Sequence, residues 1–312
     1  MDWFNPLSKH LKLQGFPLVG AVDIDDVLGG EFKNHVARYD QWLDQGFDGE
    51  MGYLRRGRDR RSDPRLVFPE AQSVVCVATP YSKEPHGSVE ADQGVQYARY
   101  LRGRDYHDVM PEKMQAALDA LLTEFPELKA NFRIKICVDT SAILERTWAA
   151  LSGIGWIGKN TLLIHPQHGS YLLLGEILVN QKSHQKPKLH ANFCGKCTRC
   201  LDACPTKAFT QAGELNSNRC ISYWTLEKRG ELNLSEEDQR AMGNRVAGCD
   251  ICQEVCPFNN KAQAWTGDEQ PSEWAYLQSE PEDHYKLRVK GSALNRVKPE
   301  MFKRNLELIK KT

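Results

Sequence analysis

Eight cysteines in the second half of the chain constrain its fold more than any other feature. Four of them, Cys194, Cys197, Cys200 and Cys204, form a CxxCxxCxxxCP run that ends at Pro205. This spacing is typical of proteins in which the first three thiolates bind one [4Fe–4S] cube and the fourth binds a second cube. A second cysteine run is therefore expected farther along the chain.

The second run consists of Cys249, Cys252 and Cys256, and it is one cysteine short of the first. Cys220 lies between the runs and supplies the missing ligand. Each cube needs four thiolates, because each iron completes its tetrahedron with one external sulfur. The eight ligands divide into Cys194, Cys197, Cys200 and Cys256 for one cube, and Cys204, Cys220, Cys249 and Cys252 for the other.

Other uses of the cysteines are less consistent with the pattern. Two structural zinc sites would also need eight thiolates, but zinc modules usually have two separated CxxC pairs. A disulfide framework needs an oxidising compartment, and the N-terminus lacks the apolar core and cleavage site of a secretory signal. We therefore expect a cytoplasmic iron–sulfur protein. Cys76 and Cys137, which stand in apolar segments, are interpreted as small buried side chains.

Length and charge bound the remaining possibilities. The 312 residues suffice for about two domains, and a polar linker near residue 185 is a natural boundary. The 41 basic and 41 acidic residues balance, so a nucleic-acid partner would have to bind a local basic patch. No segment approaches the run of about 18 apolar residues that a membrane-spanning helix needs.

Two segments are locally basic. Six arginines lie within residues 55–65, where they form either a solvated face or an anion site. The last 27 residues are also basic and predict an amphipathic helix that begins near Pro299. Such a helix either neutralises phosphates or is simply solvated.

Apolar periodicity predicts helices over residues 31–46 and 111–122 and a buried strand over residues 73–81. A further strand, RIKICV, ends just before Asp139. A carboxylate at the end of a strand is either catalytic or a helix cap, and spacing alone favours the cap. The GIGWIG segment that follows has GxGxxG glycines, but they come after a helix and before a strand. A dinucleotide-binding turn has the reverse order, which excludes nicotinamide binding.

Together these motifs resemble the epoxyqueuosine reductases of queuosine biosynthesis. The resemblance covers nearly the whole chain and rests on motifs in the same order along the sequence. They are DYHDV at residues 105–109, VDT at 138–140, GIGWIGKN at 153–160, HGSYLLLGEIL at 168–178, RCISYWT around Cys220, and GNRVAGCDICQEVCP around the second cysteine run.

The resemblance implies an α+β fold of three parts. A nitroreductase-like α/β domain that binds cobalamin would span residues 1–185, and a ferredoxin-like domain with two [4Fe–4S] clusters would span 186–262. A short, basic helical segment that faces tRNA would span 263–312. The family reduces the epoxide of epoxyqueuosine, at the wobble position of certain tRNAs, to the alkene of queuosine. It uses electrons from an external donor, and we expect a monomer without membrane contact.

The resemblance also implies site residues. Asp139 matches the aspartate regarded as the proton donor, and we expect burial against the corrin ring to raise its pKa so that it is protonated at neutral pH. Residues that match cobalamin contacts are Arg61, Ala98, Asp139, Leu163, Leu174, Ser222 and Asp250. Residues that match the tRNA-facing region are Lys228, Arg296 and Lys298. The alternatives are a corrinoid reductive dehalogenase and an electron carrier that has no catalytic activity.

Overall fold

The computed structural model describes residues 2–81, 96–101, 104–261 and 282–310. Within these residues the helices are α1 (Phe4–Leu13), α2 (Ile24–Val27), α3 (Glu31–Asp44), α4 (Gly52–Arg56), α5 (Arg58–Ser62), α6 (Tyr106–Glu124), α7 (Glu145–Leu151), α8 (Arg199–Asp202), α9 (Ile221–Leu226), α10 (Glu236–Met242), α11 (Ile251–Glu254), α12 (Glu282–Val289) and α13 (Pro299–Lys310). The strands are β1 (Leu18–Asp23), β2 (Ser73–Pro80), β3 (Gln96–Tyr97), β4 (Ile134–Cys137), β5 (Trp156–Ile157), β6 (Leu163–Ile164), β7 (Leu172–Val179), β8 (Phe209–Gln211), β9 (Glu214–Leu215) and β10 (Arg245–Ala247). None of the described helices has the length and apolar content to cross a membrane.

The central sheet has the order β1-β2-β7-β4, and each neighbouring pair is antiparallel. Alternate residues of β2 face opposite sides: Val75 and Val77 pack with α1 and α6, whereas Val74 and Cys76 pack with Trp148 of α7. Helices therefore cover both faces, which is why β2 is apolar throughout its length. The α+β class, the helix from residue 31 and the strand from residue 73 are confirmed, as is the burial of Cys76 and Cys137.

Helix α6 begins earlier than its apolar pattern predicts. The expected start was at residue 111, but the Asp105 side chain accepts a hydrogen bond from the backbone N–H of His107 at 3.0 Å and caps a helix that begins at Tyr106. Pro111 consequently lies inside the helix, where it cannot donate a backbone hydrogen bond. The early start places His107 in the first turn of α6.

The glycines of GIGWIG serve the packing of the chain itself. A Cβ atom at Gly155 would lie 2.2 Å from the carbonyl oxygen of Ile164, across the β5–β6 hairpin. Gly153 has φ +85°, in the left-handed region that favours glycine. The segment follows α7 and enters β5, which is the order that argued against a dinucleotide-binding turn.

The C-terminal segment packs against both earlier parts of the chain. Strand β3 pairs in parallel with β10, so the N-terminal half and the cysteine-rich part share a two-stranded sheet. A buried cluster joins Leu101, Leu226, Val246, Leu294 and Phe302. This packing holds the turn at Ala293–Arg296 close to the end of α9. Residues 263–281 and 311–312 of the predicted C-terminal part lie outside the described residues, and the domain boundaries stay predictions.

Candidate active site

Asp139 lies in the loop between β4 and α7, as the sequence predicted. Its φ is +52°, a left-handed conformation in which aspartate and asparagine are enriched. The backbone N–H of Asp139 donates to Oε1 of Glu145 at 2.6 Å, so the first turn of α7 holds the loop. The Asp139 side chain remains 42% exposed and is therefore accessible to a ligand.

His107 connects Asp139 to the start of α6. Nε2 of its ring lies 3.0 Å from Oδ2 of Asp139, and Nδ1 lies 2.7 Å from Oδ1 of Asp105. The Tyr106 ring stacks on the imidazole with centroids 4.1 Å apart. Two carboxylates and one aromatic ring thus fix the orientation of His107.

A cation from the C-terminal segment completes this cluster. Nη1 of Arg296 lies 3.8 Å from Oδ2 of Asp139, and Nη2 donates to Oε1 of Glu227 at 2.7 Å. Glu227 directly follows α9. Residues from the N-terminal half, the cysteine-rich part and the C-terminal segment therefore meet around one carboxylate.

The protonation of Asp139 differs from the expectation. Partial burial raises the pKa of this carboxyl group, but the hydrogen bond from His107 and the charge of Arg296 outweigh burial, and the net pKa is lowered. For His107, the hydrogen bond with Asp139 is the main reason that its pKa is raised. Both shifts act in the direction that favours an imidazolium at His107 and a carboxylate at Asp139.

Two further carboxyl groups lie behind the Asp139 loop. Burial, followed by the charge of Asp139, raises the pKa of Glu145 to about 7. Glu176, in the middle of β7, is completely buried, and neither of its oxygens has a hydrogen-bond partner among the described residues. Burial and then Glu145 raise the pKa of Glu176 well above its ordinary value, so it is held as a neutral acid.

Neighbouring thiols affect the pKa values of several of these cysteines, and the division of the eight cysteines between two cubes stays a prediction. Burial, and then Cys194, Cys256 and Cys197, raise the pKa of Cys200 to about 11. Burial raises the pKa of Cys220, Cys249 and Cys252, and smaller increases come from Cys204 on Cys220, from Cys220 on Cys249, and from Cys249, Cys220 and Cys200 on Cys252. The thiols thus lie near one another, and Cys200 acts on Cys252 across the two predicted sets. No three His, Cys, Asp or Glu side chains within the described ranges could hold one metal ion, whereas each thiolate of a cube binds a different iron.

Arg61 is the most unusual of the predicted cofactor contacts. It is buried in α5, and its Nη1 atom has no hydrogen-bond partner in the part of the chain that the structure describes. Burial, followed by the charge of Glu227, raises the pKa of Tyr53 to about 12. Smaller electrostatic effects on this phenol come from Arg296, Asp139 and Arg61.

The other predicted contacts fall into two groups. Asp250 accepts a hydrogen bond from the backbone N–H of Arg99 at 2.7 Å, next to Ala98, whose N–H donates to Ala247. Ser222, in the adjacent helix α9, is half-buried. Leu163 and Leu174 instead pack in the apolar cluster on one face of the central sheet.

The residues predicted to face tRNA differ in their exposure and in their ion pairs. Lys298 is exposed, whereas Lys228 forms an ion pair with Glu50. Arg296 belongs to the cluster around Asp139, and only 32% of its side chain is exposed. Sequence reasoning missed Glu145, Glu227 and the pairing of His107, although DYHDV had marked His107 as part of a motif.

Two family models match the chain. "Epoxyqueuosine reductase QueG, DUF1730" matches residues 61–140, which include His107 and Asp139. "4Fe-4S double cluster binding domain" matches residues 193–259, which contain all eight predicted ligand cysteines. The two models thus cover separate parts of the site.

Similar proteins agree with these matches. The epoxyqueuosine reductase of Prochlorococcus marinus is 37% identical over 98% of this chain and 97% of its own length. The enzyme of Pseudomonas aeruginosa is 37% identical over 94% of this chain and 80% of its own.

Solved structures of epoxyqueuosine reductases have the same fold. One contains an epoxyqueuosine-modified tRNA-Tyr stem loop and has 29% identity and a TM-score of 0.80, over 98% of this chain and 80% of that one. Another, from Bacillus subtilis, has its catalytic aspartate loop swung out of the active site. It has 27% identity and a TM-score of 0.78, over the same shares of the two chains.

Proposed function

Because the chain belongs to the epoxyqueuosine reductase family, we propose that it reduces the epoxide of epoxyqueuosine in tRNA to the alkene of queuosine. The conversion consumes two electrons and two protons and releases the oxygen as water. The observation that carries the proposal is that one chain combines a matched double-cluster cysteine region with a hydrogen-bonded cluster of ionisable side chains at Asp139.

The two thiol sets fit the proposed clusters. Cys194, Cys197, Cys200 and Cys256 would hold one cube, and Cys204, Cys220, Cys249 and Cys252 the other. Burial raises the pKa of Cys200 and Cys256 in the first set and of Cys220, Cys249 and Cys252 in the second. Bound iron would keep them deprotonated. The cubes would supply single electrons, received from an external donor.

Several of the residues predicted to contact cobalamin fit this cofactor. A buried guanidinium atom of Arg61 has no hydrogen-bond partner among the described residues and could donate to a corrin amide. Leu174 is partly buried and offers some apolar surface, whereas the side chain of Leu163 is buried in the core. Ser222 and Asp250 come from the cysteine-rich part, and Ala98 directly follows β3, the strand paired with that part. Bound cobalamin would supply strongly reducing cobalt for attack at the epoxide carbon.

Asp139 would deliver protons to the epoxide oxygen. An alkoxide is a poor leaving group, so protonation of this oxygen lowers the barrier to its departure. The left-handed backbone at Asp139 and its hydrogen bond to Glu145 orient the carboxyl group. Arg296 would stabilise negative charge that develops beside it.

A tRNA substrate needs phosphate contacts outside the catalytic cluster. Exposed Lys298 is available for such a contact, and Lys228 would become available by leaving Glu50. Arg296 would act where the modified base enters the site. The base would be unstacked from the anticodon loop, because chemistry on a stacked base is sterically blocked. We expect the reaction to take place in the cytoplasm, together with the proposed tRNA substrate.

Alkene formation on a synthetic anticodon stem loop tests this function. The protein is reconstituted without oxygen with iron, sulfide and cobalamin, and is then given a chemical reductant. Mass spectrometry of the digested RNA is expected to show queuosine, which has one oxygen atom less than the substrate. The same protein without cobalamin should leave the epoxide intact. Unchanged epoxide in the fully reconstituted sample would contradict the proposal.

A further inference from the structure

Three side chains form an unbroken hydrogen-bonded row that ends at Asp139. Asp105 contacts Nδ1 of His107 at 2.7 Å, and Nε2 of His107 contacts Asp139 at 3.0 Å. Asp105 also caps α6 through the backbone N–H of His107, so its carboxyl group is fixed. About a fifth of each of the Asp105 and His107 side chains is exposed, so water can reach the part of the row that lies away from Asp139.

The charges around the row favour an imidazolium at its centre. His107 faces the Asp105 carboxylate on one side and the Asp139 carboxylate on the other. The hydrogen bond from His107, together with the cation of Arg296 from the C-terminal segment, lowers the pKa of Asp139 and favours its carboxylate form. The other titratable groups that surround this pair are Glu145 and Arg146 on α7, Glu227 after α9, and the phenols of Tyr53, Tyr100 and Tyr106.

We propose that His107 is the proton store of the reaction and loads Asp139 with each proton that it delivers. This inference rests on the proposed reductase function and adds a residue to it. A resting carboxylate at Asp139 has no proton to give. The nearest donor is the Nε2–H of His107.

The protons balance in two identical cycles. Nε2 of His107 gives its proton to Oδ2 of Asp139, which passes it to the oxygen leaving the epoxide. Asp105 keeps the Nδ1–H of the neutral imidazole in place, so that Nε2 is the nitrogen that recovers a proton from water. The first cycle makes a hydroxyl group and the second releases it as water, while the iron–sulfur clusters and cobalt supply the two electrons.

Asp105→Asn tests the store without removing the helix cap, because asparagine caps a helix about as well as aspartate. The variant loses one of the hydrogen-bonded carboxylates that raise the pKa of His107. NMR titration of the histidine ring, in protein not loaded with cobalamin, should show this pKa lowered. The pH at which the rate of alkene formation falls should decrease by the same amount. If the pKa of His107 measured by NMR is lowered but the rate of alkene formation still falls at the parental pH, the proposal is overturned.

The second variant is His107→Gln. The glutamine amide can still donate a hydrogen bond to Asp139, but it cannot give up a proton. We expect a rate about 10²-fold lower, with stem-loop affinity unchanged, since acid–base groups contribute about 10² to 10⁴. The matched control is His10→Gln, which removes another histidine paired with a carboxylate, Glu124, at 2.7 Å. Its rate should equal that of the parent. A parental rate in His107→Gln, or a loss explained by weaker stem-loop binding, would contradict the store.

The NMR titration separates this proposal from the reductase function. If the parent protein forms no alkene, the function itself fails. If the parent is active but His107 carries no raised pKa in the unloaded protein, only the proton store fails.

Discussion

Asp139→Asn is expected to lower the rate of alkene formation by about 10² to 10⁴, the usual contribution of a positioned acid–base group. Asparagine has the same shape and tolerates the left-handed backbone at φ +52°, so the loop should keep its conformation. It cannot, however, receive a proton from His107 and pass it on. Alanine is a poorer choice, because a Cβ-bearing residue without a polar side chain is strained at this φ.

The rate is measured as queuosine formed per enzyme under reducing, oxygen-free conditions. Iron content and corrinoid absorbance of the Asp139→Asn protein should match those of the parent. Asp119→Asn, which changes an exposed aspartate of α6, is the matched control and should retain the parental rate. A fully active Asp139→Asn variant would remove Asp139 from the proton path.

Cys220→Ser is expected to lower bound iron from about eight to about four atoms per chain, because each cube holds four irons and serine replaces one of its four thiolates. Cys220 is the one ligand outside both cysteine runs, and its assignment therefore tests the pairing most sharply. The structure supports that assignment, since Cys204, Cys249 and Cys252 all interact electrostatically with this thiol.

The comparison uses iron analysis of anaerobically reconstituted protein. Cys76→Ala is the matched control, because Cys76 is a completely buried cysteine of β2 that is not assigned as a ligand. Its iron content should stay at the parental value. Unchanged iron in Cys220→Ser would refute the assignment of Cys220 to the second set.

Short sequence patterns were sufficient to predict the cysteine ligands and the position of Asp139 after a strand. The cysteine runs predict ligand chemistry from a few residues each, and the count of ligands assigns Cys220 to the second cube; both assignments stay predictions. Asp139 was placed at the end of a strand because the RIKICV segment is apolar and short. The family resemblance, rather than periodicity, singled it out from an ordinary helix cap.

Contacts between distant residues escaped sequence reasoning. His107 and Asp139 are 32 residues apart, and Arg296 reaches Asp139 from the C-terminal segment. The expectation that the pKa of Asp139 is raised considered burial alone. Burial does act in that direction, but it is outweighed by His107 and Arg296, which only the folded chain brings together. The early start of α6 escaped for a similar reason, since its apolar pattern begins after the Asp105 cap.

The central claim is that one chain holds two [4Fe–4S] cubes and a cobalamin. The most direct test is an absorption spectrum of protein that has been reconstituted without oxygen and then passed through gel filtration. We expect cluster and corrin bands to elute together with the protein, with about eight irons per chain. Protein that carries zinc instead of iron, or that emerges without any corrin band, would contradict this account.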